Sequence, residues 1–151
     1  MCRIIVASGN FDTQKVLESL ILLAKDENYR HELNLRKGPG SWKHPDGWGV
    51  AYLNENNKFI ISKYPKAIFK DQSVKKLYSL KTNLLITHVR KKAGSEVSIK
   101  NTHPFKAGHP QLGECVFCHN GVIKDTISFD TCYKTAGKTD SEKLFYSILS
   151  D

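Results

Sequence analysis

The run ECVFCHNG, residues 114–121, reads differently from its two ends. From the front, Cys115, Cys118 and His119 spell C-x-x-C-H, the two thiols and axial imidazole of covalent haem attachment, which belongs on a helix in an exported protein. From the back, Glu114 to His119 is a strand that enters an Asn120-Gly121 turn. The two readings demand different folds. Haem fares poorly, because the one methionine is Met1 and the common Met ligand is therefore missing. Only Ile4 to Ala7 are apolar before Ser8-Gly9-Asn10, so the N-terminus lacks a secretory pattern. A structural zinc site built from Cys115, Cys118, Cys132 and one His lacks a second C-x-x-C pair. The expectation is a strand carrying small, reduced cysteines, with no metal and no cofactor.

Working outward from that strand, the flanking segments alternate between periods of 2 and 3.6. Cys2 to Ser8 has strand composition, and Asp12 or Thr13 is placed to cap a helix whose apolar positions are Val16, Leu17, Leu20, Ile21 and Ala24. Lys37-Gly38-Pro39-Gly40 is a loop, and His44-Pro45-Asp46-Gly47 is a turn into a strand from Trp48 to Leu53. Asn54-Glu55-Asn56-Asn57 then makes a four-residue hairpin loop into Lys58 to Tyr64. Asn83 to Arg90 is a further strand, followed by a polar loop carrying Asn101-Thr102-His103-Pro104. Val122-Ile123 continues as a strand beyond the Asn120-Gly121 turn, and Thr139-Asp140-Ser141-Glu142 is a capping box before a helix with the apolar stripe Leu144, Phe145, Ile148, Leu149. The pattern is α+β with mostly antiparallel pairing.

Composition narrows the class. A chain of 151 residues suits one domain and no second lobe. At 40% hydrophobic and 25% charged residues it has enough apolar side chains for a core, and its longest apolar run, Val16 to Ala24, is too short to span a bilayer. A cytoplasmic location is expected. The net charge of +8 favours anionic partners, yet the lysines spread from Lys15 to Lys143 without a dense block, so a solvated surface is expected rather than nucleic-acid binding.

Several residues carry chemistry. Cysteine at position 2 is small enough for Met1 to be removed, which would leave a thiol and a free α-amine on one residue; that amine titrates near ~7.7–8.0 and serves as its own base. Arg90 offers a planar fork for a carboxylate, against the plainer alternative of a surface ion pair. Asp140 suits an ammonium group, or simply the dipole of the helix it begins. Asn120 and Gly121 make either a turn or, from the Asn amide and the Gly N–H, a two-donor oxyanion hole.

The order of these motifs is more specific than any one of them. Cys2, then HPDGWG (44–49), THVRKKAGSEVSIKNTHPF (87–105), HNG (119–121) and TDSE (139–142) resembles the class II glutamine amidotransferases, N-terminal-nucleophile (Ntn) hydrolases, and most closely their compact stand-alone subgroup. The resemblance implies an αββα sandwich of two antiparallel sheets and a small-molecule substrate. It implies that Cys2 attacks the amide of glutamine or of a γ-glutamyl compound and releases ammonia, with Asn120 and Gly121 holding the oxyanion. Arg90 would hold the substrate carboxylate, Asp140 its ammonium, and His103 would line the same pocket. Family members continue past the TDSE helix, whereas this chain stops at Asp151 within that pattern, so a fragment or shortened member with incomplete sheets is expected. With Met1 retained, the amine is missing and an inactive, ligand- or partner-binding module is the alternative.

Overall fold

The computed structural model describes residues 2–27 and 42–151; the loop expected at 37–40 lies outside them. Strand β1 (Arg3–Ser8) pairs antiparallel with β4 (Leu84–Val89), which pairs with β2 (Trp48–Leu53), which pairs with β3 (Phe59–Tyr64), giving the order β1-β4-β2-β3. The hairpin loop between β2 and β3 is the four residues read from the sequence: Asn54 Oδ1 accepts from the N–H groups of Asn56 and Lys58, and Asn57 adopts φ 56°, a left-handed position that Asn tolerates.

Because side chains alternate along a strand, each sheet face has its own character. One face presents Trp48, Val50, Leu85 and Val89, and against it lies helix α1 (Thr13–Lys25) with Leu17, Leu20 and Ala24, all fully buried. Asp12 caps this helix by accepting from the Lys15 N–H, and Asp26 ends it in the left-handed conformation. The Trp48 indole donates to Asp71 Oδ2 at 3.0 Å, so the one polar atom of this large side chain is satisfied.

The opposite face is occupied differently. A Cβ on Gly49 would come within 2.2 Å of the His103 carbonyl, so only glycine lets the His103-Pro104 segment, joined by a cis peptide, cross the sheet here. His88, cross-strand from Gly49, stacks on His103 with ring centroids 4.2 Å apart, and His103 meets Phe105 at 4.5 Å. That segment leads into a second antiparallel sheet of β5 (Phe105–His109) and β6 (Gly113–Phe117), where Phe105 pairs with Phe117. Helix α2 (Asp140–Ile148) covers it through Phe145 and its C-cap Leu149, with Phe117 and Phe145 stacked at 5.3 Å. The fold is α+β, and its two antiparallel sheets with a helix packed on each agree with an αββα sandwich.

Three expectations need correction. Residues 114–119 are not strand throughout, since β6 ends at Phe117. Val122-Ile123 is not a strand; the Ile123 N–H is held by the Asp140 carboxylate instead of a neighbouring strand. The polar loop carrying residues 101–104 is present as read, and its residues are buried. The capping box is half formed: Thr139 Oγ1 accepts from the Glu142 N–H, but the Glu142 carboxylate reaches the N–H groups of Ala136 and Gly137 rather than that of Thr139. No helix among the described residues is long and apolar enough to cross a membrane.

Candidate active site

The β1–β4 register pairs Arg3 with Val89, so one step further along the ladder sets Cys2 beside Arg90 and Lys91. The strand pairing thereby brings the thiol and the guanidinium to the same end of the sheet. The Cys2 Sγ lies 3.8 Å from the Lys91 carbonyl oxygen. The Cys2 N–H donates to Asn120 Oδ1 at 2.8 Å, a contact between residues 118 apart in sequence. Residues 119–121 emerge from the end of β6 and Asp140 from the first turn of α2. One cavity is lined by Cys2, Arg90, His103, His119, Gly121 and Asp140. All six residues singled out from the sequence therefore meet, five in the cavity wall and Asn120 through its bond to Cys2.

Arg90 is not the surface residue that its plainer reading implied, being only 4% exposed. Nη1 donates to the Glu96 carbonyl at 2.9 Å, and Nη2 to the carbonyl and hydroxyl of Ser95 at 3.1 and 2.6 Å. These three contacts leave two of the guanidinium's five N–H donors. No carboxylate among the described residues lies within ion-pair distance of it. Burial lowers its pKa, with Cys2 and Asp46 opposing. A buried cation without an anionic partner at a cavity wall is a natural seat for an anion.

The HPDG turn, read from the sequence as a turn and as part of the motif set, holds this arginine in place. The Arg90 N–H donates to the Gly47 carbonyl at 2.8 Å, the Asp46 N–H donates to the Arg90 carbonyl at 3.1 Å, and Asp46 Oδ2 accepts from the Lys92 N–H. Gly47 has φ 143°, and a Cβ there would press on Thr102 Oγ1 at 2.9 Å. The signal was present in the pairing of HPDG with the arginine motif, but a contact across this distance has no period to reveal it.

The charge states follow from burial. The Cys2 thiol pKa is raised by desolvation, against the opposing effects of the Lys91 backbone and the positive charges of Arg90 and Arg3. Cys118 is pushed up to about 12 by burial and by the neighbouring Cys2, so it stays a neutral thiol. His103 is 4% exposed and neither ring nitrogen has a hydrogen-bond partner; burial first, then the nearby His88, lowers its pKa to about 2. His88 is lowered to about 3, again chiefly by burial, although the His119 backbone favours its charged form. Both rings are neutral near pH 7. Asp140 Oδ2 accepts from the Ile123 N–H at 2.6 Å, and Oδ1 from the Ser141 N–H at 2.8 Å.

The cysteines of C-x-x-C-H part company. Cys115 joins the apolar cluster under α2, while Cys118 lies just past the end of β6, buried and within electrostatic reach of Cys2.

Residues 32–151 match the family described as class II glutamine amidotransferases. Among curated proteins the chain is 31% identical over 119 residues to "Putative glutamine amidotransferase YafJ" of Escherichia coli (strain K12), covering 76% of this chain and 46% of that protein. It is 30% identical over 132 residues to an uncharacterized protein of Methanocaldococcus jannaschii, covering 81% and 36% respectively. A "Putative glutamine amidotransferase" of Haemophilus influenzae is 34% identical over 105 residues, covering 68% and 35%. The chain spans less than half the length of each of these relatives.

Proposed function

The chain belongs to the class II glutamine amidotransferases, and from that premise we propose that it hydrolyses the side-chain amide of glutamine, or of a γ-glutamyl compound, through the thiol of Cys2. The observation that carries this reading is the 2.8 Å contact from the Cys2 nitrogen to Asn120 Oδ1. It joins the nucleophile to the oxyanion turn.

Removal of Met1 converts the Cys2 nitrogen from an amide to an α-amine. A thiol whose pKa is raised by burial needs a base close by, and an amine titrating near ~7.7–8.0 on the same residue accepts the proton directly or through one water. The thiolate attacks the amide carbon, a C–S bond forms, and the carbonyl oxygen becomes an oxyanion. With its Oδ1 committed to the Cys2 nitrogen, Asn120 keeps its Nδ2 donors for that oxygen, beside the Gly121 N–H; one such donor is worth ~2.7–4 kcal/mol of barrier. The α-ammonium returns its proton to the departing nitrogen, the C–N bond breaks, and ammonia leaves a γ-glutamyl thioester. Water then attacks the thioester, its proton passes to the amine, and the thiolate is expelled with release of the γ-carboxylate.

Recognition uses opposite charges. The two remaining Arg90 donors clamp the substrate α-carboxylate, Asp140 faces its α-ammonium, and His103 supplies a neutral wall with an unpaired ring nitrogen. Ammonia release from glutamine tests the reaction. The Cys2→Ala protein is expected to lose all measurable turnover while remaining folded, and parent-level release by that variant would overturn the proposal. A form that retains Met1 is expected to be inactive as well, because its Cys2 nitrogen donates to Asn120 but accepts no proton.

A further inference from the structure

His119, spelled out by the haem-like motif, plays no part in the steps above, and neither does Ser141. We propose that His119 and Ser141 form a brace that positions the Gly121 N–H for the oxyanion, an inference that rests on the proposed thioester chemistry. Three contacts carry it. His119 Nδ1 and Ser141 Oγ share a hydrogen bond of 3.0 Å, which ties the end of β6 to the first turn of α2 across 22 residues. The other end of the same ring lies against Gly121: a Cβ there would stand 2.6 Å from Nε2 and 2.9 Å from Cε1. On the far side of the turn, the Ile123 N–H is held by Asp140 Oδ2 at 2.6 Å. The first two residues of α2 thus grip residues 119–123 before and after Gly121.

The grip is anchored. Ser141 is buried, its hydroxyl also lies 3.3 Å from Asp140 Oδ1, and the turn it sits in is capped by Thr139. The Glu142 carboxylate fixes the approach to α2 through the N–H groups of Ala136 and Gly137. The Gly121 side of the oxyanion hole has no side chain with which to hold itself; the Nε2–Cε1 end of the imidazole supplies the missing contact. This also explains why a histidine precedes the Asn-Gly pair. A bulkier residue at 121 would displace the ring, and a smaller one at 119 would leave Gly121 unsupported.

An oxyanion forms in the transition state and not in the bound substrate, so a brace for its donor acts on kcat and leaves KM alone. In the Met1-processed protein, Ser141→Ala is expected to lower kcat for glutamine about 10- to 100-fold with KM within about two-fold of the parent. Ser141→Thr, which keeps the hydroxyl, is expected to restore most of the rate. Backbone 15N relaxation of the same variants gives a readout independent of turnover: the Gly121 order parameter is expected to fall from a rigid ~0.85 to below ~0.6 in the Ala variant and to recover in the Thr variant. Parent kcat in Ser141→Ala, or equal losses in the Ala and Thr variants that track melting temperature, would overturn the brace. If the parent itself shows no turnover, the hydrolase proposal fails, and an unchanged Gly121 order parameter in Ser141→Ala overturns the brace on its own.

Discussion

On one face of the four-stranded sheet, Trp48, Val50, Leu85 and Val89 meet Leu17, Leu20 and Ala24 in a contact made almost wholly of carbon. On the other face of the same strands, Gly49 and His88 meet the His103 backbone and ring, and beyond them lie Arg90, Asn101 and Thr102, all buried and all polar. The first face gains its free energy from removing apolar area from water, roughly 25 cal/mol per Å². The second holds groups whose burial costs energy unless each is partnered, and the His103 ring is not hydrogen-bonded. One face holds the fold together, and the other borders the cavity lined by Cys2 and Arg90.

The largest effect is expected from emptying the carbon face. Leu20→Ala removes a fully buried side chain and is expected to cost ~2–5 kcal/mol of stability by denaturant unfolding. The kcat of the molecules that remain folded should stay within about two-fold of the parent, because the cavity with Cys2 lies on the other face. A large fall in kcat at full folding would show that the two faces are not separable.

Acid should act in the opposite sense. In the unfolded chain His88 and His103 take up protons near pH ~6.5; in the folded protein they do so only at about 3 and about 2. Between those limits the unfolded state binds more protons, so stability rises with pH. It is fully present above ~6.5 and falls as the pH drops below that, by up to ~1.4 kcal/mol per pH unit for each histidine. Unfolding free energies at pH 7 and pH 5 measure this slope. Leu20→Ala is expected to keep it and His103→Gln to flatten it; equal slopes in both would contradict the assignment.

The two faces also differed in how far they were legible. Helix α1 follows from Asp12 and the spacing of Leu17, Leu20 and Ala24, and β2 runs from Trp48 to Leu53 as read, because apolar burial imposes a period on the sequence. Strand β5, Phe105–His109, was missed: FKAGH has weak strand composition, and its pairing with β6 makes it a strand. The residues brought to the cavity were legible as an ordered set of motifs, not by any period. What holds them was not legible. The contacts of Arg90 with Ser95, of Asp46 with Lys92 and of His119 with Ser141 join residues 5 to 46 positions apart with no regular spacing, so no period in the sequence announces them.

In the proposed reaction Cys2, freed of Met1, is the nucleophile. Intact-mass analysis of the purified protein followed by treatment with a γ-diazoketone analogue of glutamine tests it most directly. The expected result is a chain lacking Met1 that gains one adduct, mapped to Cys2 and blocked by excess glutamine. An adduct on Cys115, Cys118 or Cys132, or none on a chain shown to begin at Cys2, would contradict it.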